Sequence, residues 1–570
     1  MVSLKEELAA VLEKAVGKGL VKQDILTIIE VPPQSELGDF AFPCFKLSPA
    51  MKKAPVEIAK QLSEQIKLPA SFEKVVATGP YLNFFVKKSS VAKQTLSAVL
   101  KQKEKFGHSN SGKGKKVMVE YSAPNTNKPL HVGHLRNDSI GMAVSNLLDA
   151  TGHKVIKANL VNDRGIHICK SMLAYEKWGK GKKPNKKSDH FVGDYYVLFN
   201  KHVKENPSLE EEARFLLKKW ENKDKAVHAL WKKMNKWAID GFKTTYKEFG
   251  SHFDIWFKES EFYNQAKTLI KDGLESEIFY ENDDGAIVAK LEHHKLPNKI
   301  VQRADGTSIY ITNDLALTKH KFEKFKLSES IWVVGSEQNL YFKQLFKIFD
   351  LLGFKWASQC KHLSYGMVYL PQGRMKSREG TVIDADDLME SVGALAAKEI
   401  KKRYPALSKA EQTKRAKAIA LAAIKFFMLR IDEAKDLHFN PEESLSFEGE
   451  TGPYLQYTYA RAKSILRKAG KKQVKPDYKL LTENIEKKLV LLIYNFPGVV
   501  EKAANTLEPH LLSQHLLETA AAFNSFYHAL QVINADSKEL VATRLALVEA
   551  TSWVLKNGLN LLNIQAIEKM

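Results

Sequence analysis

Apolar and polar positions follow three different patterns along this chain. Up to about residue 106, two helical patterns precede a predicted strand pair that ends in GPYLNFFVKK. From Lys116 onwards, short apolar runs such as KVMVEYSA and KVIKANLVND are separated by helical stretches, as in the βαβ units of a parallel sheet. After about Asp386, apolar residues recur at the i, i+3, i+4 and i+7 spacing that predicts a bundle of helices.

These patterns predict three domains. We expect an α+β N-terminal domain over residues 1–108, a doubly wound, Rossmann-like α/β domain with a parallel sheet over 109–390, and an all-α bundle over 391–570. The charged helical stretch at about 175–250 is predicted to be an insertion in the middle domain. In the same domain, KIVQRADGTSIYITNDLAL predicts a hairpin that turns at Asp305-Gly306 and continues into a helix.

Composition narrows the class of protein. The 570 residues include 87 Lys+Arg against 66 Asp+Glu, a formal net charge of +21 that attracts polyanions such as nucleic acid, although a solvated lysine-rich surface is an equal alternative. The 3 cysteines are far apart in sequence, which argues against a disulfide framework or a zinc site and favours a reducing cytoplasm. Signal-peptide and membrane-spanning patterns are absent from the sequence, so we expect no membrane partner.

One segment resembles a phosphate-binding loop without fulfilling its chemistry. GHSNSGKG, from Gly107 to Gly114, has glycine after Lys113, where a Ser or Thr is needed to bind magnesium. The segment also precedes a predicted strand, whereas a phosphate loop follows one. We interpret it as a linker between domains.

The stretch SAPNTNKPLHVGHLRND, residues 122–138, lies where a strand is predicted to give way to a helix. His131 and His134 are three residues apart, so they lie on nearly the same face of the helix start. A zinc site would call for a spacing of four and an intervening glutamate, and two structural caps are a further alternative. A nucleotide site fits the context better, because helix N-termini at the carboxyl end of parallel strands bind phosphates and Gly133 lets a flat ligand approach the backbone.

The tetrapeptide HVGH resembles the H-I-G-H signature of class I aminoacyl-tRNA synthetases, and the longer SAPNTNKPLHVGHLRN resembles the arginyl member. Six more segments resemble that family in the same order: VNDRGIH, YITNDLAL, VGSEQNLYF, MKSREGTVI, GPYLQYTYARAKSIL and RLALVEATSWVLKNGLNLLNI. The resemblance covers nearly the whole chain. It implies a ligase that activates L-arginine with ATP to arginyl-adenylate and transfers the arginyl group to the terminal adenosine ribose of tRNA(Arg), releasing pyrophosphate and AMP.

The resemblance also implies how the three domains divide the work. The middle domain would be catalytic, the N-terminal domain would bind the D-loop of the tRNA, and the C-terminal bundle would bind the anticodon. ATP is expected as a substrate with Mg²⁺, and tRNA(Arg) and L-arginine as partners of a cytoplasmic monomer. Positioning and charge stabilisation suffice for this chemistry, so no covalent nucleophile is required.

The second family signature, K-M-S-K-S, corresponds to RMKSR at 374–378, where Ser377 replaces the second lysine. Arginyl enzymes are thought to compensate with a lysine just before the first signature, and Lys128 stands at that place. A plain exposed basic loop is the alternative for RMKSREG. The resemblance assigns the catalytic role to His131, Gly133, His134, Lys128, Lys376 and Arg378.

Recognition of arginine calls for acidic groups, because a guanidinium is planar, always charged and bound by carboxylates in a bidentate way. The resemblance implies that Glu120, Tyr310 and Asp314 surround the guanidinium, and that Asn125 and Gln338 hold the amino and carboxylate end of the substrate. The residues alone leave an alternative open, in which Asp314 caps a helix and Tyr310 belongs to the core. No protein-bound metal is expected.

RNA contacts are expected at both ends of the chain, because exposed aromatic side chains stack on unpaired bases. About half of the candidates in the bundle are expected to be core residues instead. The residues that the resemblance assigns to tRNA are Tyr81, Asn83, Tyr454, Gln456, Tyr459, Arg461 and Met570.

Two other classes of protein remain as alternatives to this function. A cysteinyl or glutamyl class I synthetase would need zinc ligands or a basic substrate pocket, and neither is evident in the sequence. A non-enzymatic RNA-binding descendant of a synthetase would be expected to lose the signature histidines, which are present.

Overall fold

The computed structural model describes residues 4–17, 20–30, 32, 34–262, 267–306, 309–369, 383–470 and 474–570. Lys376 and Arg378, both assigned to catalysis from the sequence, lie outside the described residues. The described strands are β1 (Phe40–Pro43), β2 (Phe72–Thr78), β3 (Tyr81–Val86), β4 (Lys116–Glu120), β5 (Lys154–Val161), β6 (Ile255–Lys258), β7 (Phe279–Glu281), β8 (Ile287–Ala289), β9 (Lys299–Gln302), β10 (Glu329–Gly335), β11 (Cys360–Tyr365), β12 (Val368–Tyr369) and β13 (Leu437–His438).

Helices make up most of the remaining described chain. None of them combines the length and apolar character needed to span a bilayer. The described helices are α1 (Leu4–Val16), α2 (Lys22–Ile28), α3 (Ser48–Met51), α4 (Pro55–Gln65), α5 (Lys88–Gln102), α6 (Val132–Ala150), α7 (Ile166–Ala174), α8 (Ser188–His202), α9 (Ser208–Glu221), α10 (Lys225–Phe249), α11 (Lys267–Glu275), α12 (Tyr310–Phe325), α13 (Asn339–Leu351), α14 (Ala385–Arg403), α15 (Lys409–Leu429), α16 (Pro441–Ser444), α17 (Gly452–Ala469), α18 (Asn484–Thr506), α19 (Pro509–Ala529) and α20 (Lys538–Leu561).

The central sheet has five parallel strands in the order β11-β10-β4-β5-β6. The chain passes from β4 to β5 and β6 on one side and reaches β10 and β11 on the other, so the order reverses between β4 and β10. This reversal is the switch point at which doubly wound sheets bind ligands, outside the carboxyl ends of the strands. The predicted doubly wound α/β fold is therefore confirmed, and the loop that follows β4 is the one that carries HVGH.

Two parts of the middle domain differ from the prediction. The prediction of a hairpin at Asp305-Gly306 is wrong. Strand β9, which precedes this turn, pairs with the earlier strand β8, and the chain that follows the turn enters helix α12 at Tyr310. The Asp-Gly turn signal thus marks the passage from a strand to a helix. Strand β6, IWFK, was not predicted, because a run of four residues is too short to show a period.

The types of secondary structure predicted for the N-terminal and C-terminal regions are present. In the N-terminal region β1, β3 and β2 form an antiparallel sheet. In the C-terminal region, where the apolar spacing predicts helices, the chain forms long helices that include α18, α19 and α20, and Pro497 is accommodated inside α18. Helix α5 packs against α18 and α20, so the N-terminal and C-terminal regions of the chain are in contact.

A second core connects the signature loop to later helices. Leu130 and Val132, which flank His131, pack with Phe242 of α10 and with Ala385 and Leu388 of α14. The loop that carries the signature is therefore enclosed by the insertion on one side and by α14 on the other. This enclosure, rather than the sheet alone, sets the position of His131.

Candidate active site

The two signature histidines form the cap of helix α6. His131 is the N-cap residue, and its Nδ1 accepts a hydrogen bond from the backbone N–H of Gly133 at 3.2 Å. His134 reciprocates, because its Nδ1 accepts from the backbone N–H of His131 at 3.1 Å. The ring centroids are 4.0 Å apart. The capping alternative considered from the sequence is thus correct for the Nδ1 atoms, but it uses only one nitrogen of each ring.

This arrangement fixes the protonation of both rings. A ring nitrogen that accepts a backbone N–H carries no proton, so in the neutral form the proton lies on Nε2, which becomes a donor. Burial, assisted by the charge of Lys128, lowers the pKa of His131 to about 4. Burial, His131 and Lys128 lower the pKa of His134 well below its usual value. At neutral pH the pair therefore offers two uncharged Nε2–H donors beside the N-terminus of α6.

Gly133 has a second reason for being glycine besides the ligand approach predicted from the sequence. A Cβ at this position would lie 3.0 Å from Cε1 and Nδ1 of the His131 ring. The missing side chain thus makes room for the histidine that caps the helix.

The approach to the signature is strained. Ser122 and Ala123, directly after β4, have φ angles of 75° and 48°, the left-handed region that non-glycine residues seldom adopt. Asn137 of α6 holds this turn, because its Oδ1 accepts the Ser122 N–H at 2.6 Å while its Nδ2 donates to the Val333 carbonyl at 2.7 Å. One side chain thereby joins the ends of β4 and β10 to the signature helix.

The remaining residues assigned around the substrate lie at the same edge of the sheet. Asn125 is half-buried and bridges to Asn162, which follows β5. Gln338 is exposed and ends a short 3₁₀ turn after β10. Lys128 lies close enough to lower the pKa values of both signature histidines. These placements bring the predicted residues to the carboxyl edge of the sheet, Asn125 on the β5 side of β4 and Gln338 after β10.

Glu120, Glu259 and Asp314 form an acidic cluster at the same edge of the sheet as the histidines. Glu120 is the last residue of β4 and only 5% exposed. Burial, with the charge of Glu120, raises the pKa of Asp314 to about 6. Burial also raises the pKa of Glu259 to about 8, with Asp314 among the groups that raise it further. A cluster that gathers this much negative potential in a buried place is suited to a cationic ligand.

Helix α12 supplies one face of this cluster. Tyr310 is in its first turn and 57% exposed, and Asp314 follows one turn later and accepts a hydrogen bond from the Tyr341 hydroxyl. The alternative in which Asp314 caps a helix and Tyr310 is core is therefore wrong, since Ile309 is the N-cap of α12.

Lys321, on the same face of α12 two turns after Asp314, was not anticipated. Its Nζ lies 2.6 Å from Glu120 Oε2, and its side chain is 1% exposed. The ammonium also lies over the Trp332 ring at 5.0 Å from the centroid. Glu120 thus enters the site already paired with a cation of the chain. The signal was available in the i, i+7 spacing from Asp314, but a lysine in a helix pattern is usually a solvated surface residue.

Glu259 is the second residue that sequence reasoning missed. It follows β6, and its place is set by Asp163, which accepts hydrogen bonds from the backbone N–H and the hydroxyl of Ser260 at 2.9 and 2.8 Å. Asn313 Nδ2 donates to Glu259 Oε1 at 2.8 Å, whereas Oε2 is buried without a hydrogen-bond partner among the described residues. An acidic residue directly after a strand was the available signal, as for Glu120, but β6 itself had not been predicted.

The RNA candidates divide into exposed and buried ones. Tyr81 is half-buried and makes an edge-to-face contact with Phe45 at 6.1 Å, and Phe45 is 45% exposed. Asn83 is buried in β3, so we leave it out of the proposed RNA surface. Phe45 was missed because FAFPCF resembles an ordinary strand.

In the bundle, Gln456 is fully buried and donates to the backbone carbonyls of Ala418 and Gln565. Tyr459 is also buried, with its hydroxyl near Glu568. Both residues therefore hold the C-terminal tail and are left out of the RNA surface.

Tyr454 and Arg461 instead line an open cavity of about 780 Å³ between α14, α17 and α19. Arg461 donates to Asn524 Oδ1 at 2.8 Å and stacks on Tyr457. Met570 packs partly on the core that contains α14 and α15. The expectation that about half of the bundle candidates are core residues agrees with this division.

Among the described residues, one group places three potential metal-ligand atoms within 4.8 Å of one another, namely those of Asp189, His190 and Asp386. Lys187 Nζ hydrogen-bonds Asp189 at 2.9 Å and Asp386 at 2.5 Å. A cation of the chain therefore fills the place that a metal would take, and this group does not fit Mg²⁺, which prefers oxygen ligands in octahedral geometry.

Comparison with known proteins identifies the family to which this site belongs. Residues 95–440 match the model of the class I (R) tRNA synthetase catalytic domain, residues 3–86 that of the arginyl-tRNA synthetase N-terminal domain, and residues 455–570 that of the DALR anticodon-binding domain. The arginine–tRNA ligase of Treponema denticola is 45% identical, covering 95% of this chain and 94% of that protein. This chain belongs to the arginyl-tRNA synthetase family. The expected resemblance is thereby confirmed over nearly the whole chain.

Other relatives agree with this assignment. The arginine–tRNA ligase of Borreliella afzelii is 40% identical, with 100% of this chain and 99% of that protein covered. The solved arginyl-tRNA synthetase of Thermus thermophilus matches with a TM-score of 0.81 at 27% identity, covering 99% of this chain and 100% of that one. The cysteinyl, glutamyl and non-enzymatic alternatives find no support in these relatives.

Proposed function

We propose that this chain is an arginine–tRNA ligase that activates L-arginine with ATP and transfers the arginyl group to tRNA(Arg). The observation that carries the proposal is the presence of an acidic cluster and two neutral histidines at the same carboxyl edge of the sheet. An acidic pocket selects a cationic amino acid, and uncharged N–H donors at a helix N-terminus suit a triphosphate.

On the arginine side, the guanidinium would lie between Glu120 and Asp314. The pKa of Asp314 is about 6, so this carboxyl is largely protonated below pH 6. Binding of the guanidinium would favour its ionised form. The ligand would also share Glu120 with Lys321, whose ammonium occupies one carboxylate oxygen at 2.6 Å and leaves the other. Tyr310, Asn125 and Gln338 would complete the contacts to the substrate.

On the ATP side, His131 and His134 would donate their Nε2–H groups to phosphate oxygens, and Lys128 would add positive charge. ATP enters as its magnesium complex, in which phosphates and water are the ligands of the ion, so Mg²⁺ is part of the substrate. Lys376 and Arg378 remain assigned to the phosphates by family resemblance alone.

The two sides would meet across β4 and β10, so that the arginine carboxylate would lie next to the α-phosphate. A carboxylate oxygen then forms a bond to the α-phosphorus as the bond to pyrophosphate breaks. In the second step a ribose hydroxyl of the tRNA attacks the carbonyl carbon, and AMP leaves. The chain's contribution to both steps is positioning and hydrogen bonds to oxygens that gain charge.

For the tRNA we propose two surfaces and the domain limits expected from the sequence, 1–108, 109–390 and 391–570. The Tyr81–Phe45 pair would stack on an exposed base of the D-loop, and the cavity lined by Tyr454 and Arg461 would receive anticodon bases. Met570 stays a candidate at the edge of the second surface. We further propose a cytoplasmic monomer, in keeping with three buried cysteines without disulfides.

The deciding experiment is ATP–pyrophosphate exchange, followed by charging of tRNA(Arg). The exchange is measured with and without tRNA. We expect it to depend on arginine, and we expect no exchange when lysine, glutamate or cysteine replaces arginine. Absence of arginine-dependent exchange under both conditions, in a protein that still binds tRNA, would leave a non-enzymatic RNA-binding protein as the better description.

The proposed D-loop contact has its own test. Tyr81→Ala is expected to raise the KM for tRNA(Arg) roughly tenfold, because loss of one base–aromatic stack costs about 1–3 kcal/mol. Phe215→Ala on α9, an aromatic that is 60% exposed elsewhere, is the matched control and should leave this KM unchanged. An equal KM for both variants would remove Tyr81 from the RNA surface.

A further inference from the structure

Helix α8 of the insertion lies directly behind the signature loop. Gly193 of α8 faces this loop so closely that a Cβ there would lie 2.8 Å from Cδ of Pro129 and 3.7 Å from the Cα of Lys128. Gly241 of α10 has a similar role, because a Cβ on it would lie 2.3 Å from Asp189. The absence of these side chains lets α8 pack against the residues that precede His131 and against α10.

His131 is also held from the other side by the chain that leads into α14. The N–H of Val132 donates to the Ile383 carbonyl at 2.9 Å, and the N–H of Ala385 donates to the Leu130 carbonyl at 3.0 Å. These bonds make His131 and Asp384 partners in an antiparallel bridge. A displacement of Asp384 would therefore move the backbone of His131.

An ion cluster connects α8 to that same segment. We name it the α8 ion cluster, and it consists of Lys187, Asp189, His190, Asp384 and Asp386. His190 Nε2 lies 2.8 Å from Asp386 Oδ2 and 3.7 Å from Asp384 Oδ1. Lys187 Nζ donates to Asp189 and Asp386, and Thr245 of α10 donates to Asp386 at 3.0 Å. Three side chains of the insertion, those of Lys187, His190 and Thr245, thus hold the N-terminus of α14.

The cluster needs both of its cations. Three carboxylates lie at its centre, and Asp189 is fully buried. Burial alone would raise the pKa of Asp386, but hydrogen bonds from His190 and Lys187 outweigh it and lower this pKa to about 2. Burial and the charge of Lys187 oppose protonation of His190. The carboxylates of Asp386, Asp384 and Asp189 outweigh both effects and raise the pKa of His190. The charged groups that face His190 are therefore the three carboxylates and the ammonium of Lys187. Helix α10 contributes only the neutral hydroxyl of Thr245 to the cluster.

We infer that Lys187, His190 and Gly193 of α8 are positioning residues for the reaction, because they brace the signature loop and its partner segment and thereby set the position of His131. The inference rests on the proposed function, in which His131 contacts ATP. By this inference the helical insertion contributes to the reaction indirectly, by positioning the signature loop. None of the three residues would touch a substrate.

The test uses the full-length protein and ATP–pyrophosphate exchange with arginine and tRNA. His190→Gln is expected to lower kcat roughly tenfold to 100-fold, because a small misplacement of a reacting group has effects of this size. The KM for arginine should stay unchanged, since the acidic cluster is not touched. His202→Gln at the other end of α8 is the matched control, and its kcat should equal that of the wild type.

The pH profile separates positioning from a merely structural role. In the wild type, kcat should fall as the pH rises through the raised pKa of His190, because the deprotonated ring no longer balances Asp384 and Asp386. His190→Lys keeps a cation at this place, so it should recover most of the lost kcat and remove this alkaline limb. Wild-type kcat in His190→Gln at every pH would overturn the inference.

A second variant tests the brace without changing any charge. Gly193→Ala gains helix propensity but introduces a methyl group 2.8 Å from Pro129, so the signature loop must shift and kcat should fall at temperatures well below the melting transition, where the variant is fully folded. Gly393→Ala on α14, where a Cβ meets nothing within 4 Å, is the control. An unchanged kcat in Gly193→Ala would contradict the positioning role. The same holds if the loss of kcat in His190→Gln parallels a loss of thermal stability and His190→Lys does not restore it. Absence of exchange in the wild type would instead contradict the proposed function.

Discussion

The acidic cluster and the histidine pair occupy the same edge of the sheet, and burial acts on them in opposite directions. It raises the pKa values of Asp314 and Glu259 to about 6 and about 8, and it lowers that of His131 to about 4. Both halves of the site are thereby pushed towards their uncharged forms before any ligand is present.

The two halves differ in what a ligand would change. A guanidinium would add a positive charge next to the acids, so its binding would favour the ionised forms of Asp314 and Glu259. A triphosphate accepts hydrogen bonds, so the histidines can act as Nε2–H donors without gaining a proton. The arginine side should therefore depend on charge, and the ATP side on hydrogen-bond geometry.

Removing charge from the arginine side should have the largest effect. Asp314→Asn is expected to raise the KM for arginine about 100-fold or more, because removing one partner of a buried charge pair costs about 3–5 kcal/mol. The measurement is arginine-dependent exchange. Asp350→Asn on α13, whose carboxylate is exposed and pairs with Lys347 at 2.7 Å, is the control. An unchanged KM in Asp314→Asn would mean that the guanidinium is bound elsewhere.

Removing the chain's own cation should separate stability from recognition. Lys321→Met leaves Glu120 buried without its partner, so the free energy of unfolding should fall by about 3 kcal/mol. Added arginine should stabilise this variant more than the wild type, because the guanidinium can replace the lost ammonium. Denaturant unfolding with and without arginine measures both effects.

Lys324→Met, an exposed lysine on the same helix, controls for the loss of a surface charge. If arginine stabilises the Lys321 variant and the wild type equally, Glu120 does not contact the ligand.

Changing a donor on the ATP side should lower kcat and leave arginine binding alone. His131→Asn keeps an acceptor for the Gly133 N–H but loses the ring N–H, so kcat should fall roughly 10²- to 10³-fold. The KM for arginine should not change. His153→Gln, at the start of β5 and away from the switch point, is the control. A change confined to the KM for arginine would show that the two halves are not independent.

The smallest expected effect is the pH dependence of arginine binding. Because the Asp314 pKa is raised to about 6, the KM for arginine should fall by up to about tenfold per pH unit as the pH rises towards 6 and then become less steep. The same shift means that the folded protein binds this proton more tightly than the unfolded chain. Its contribution to stability is therefore present at low pH and lost as the pH rises from about 4 to 6.

Asp314→Asn should remove this part of the pH dependence, as measured by exchange at several pH values. A wild-type KM that is flat between pH 5 and 7 would indicate that Asp314 is already ionised without ligand.

Much of the site could be predicted because its residues lie next to strand ends and helix starts. Glu120, His131 and Gln338 each follow or begin a regular element in the sequence, and parallel strands bring such positions to one edge. Asp314 and Tyr310 share a face of α12 by their spacing, as expected. Family resemblance then supplied their roles.

Other residues could not be found in this way. Glu259 was missed because the strand before it is only four residues long. Lys321 was missed because a lysine at a helix position is usually exposed, and only the neighbouring Glu120 makes its burial favourable. Gln456 and Tyr459 belong to an aromatic-rich helix that sequence reasoning assigned to RNA, but the C-terminal tail covers them.

The amino-acid sequence by itself determined the three-part organisation, the parallel sheet, the signature helix and the family, because these follow from local periodicity and from contiguous motifs. Only the tertiary structure decided which charges meet. The pairing of Lys321 with Glu120, the contact of Asn313 with Glu259 and the bridge between His131 and Asp384 join segments far apart in the chain. Their energies depend on burial and distance, which no local pattern encodes.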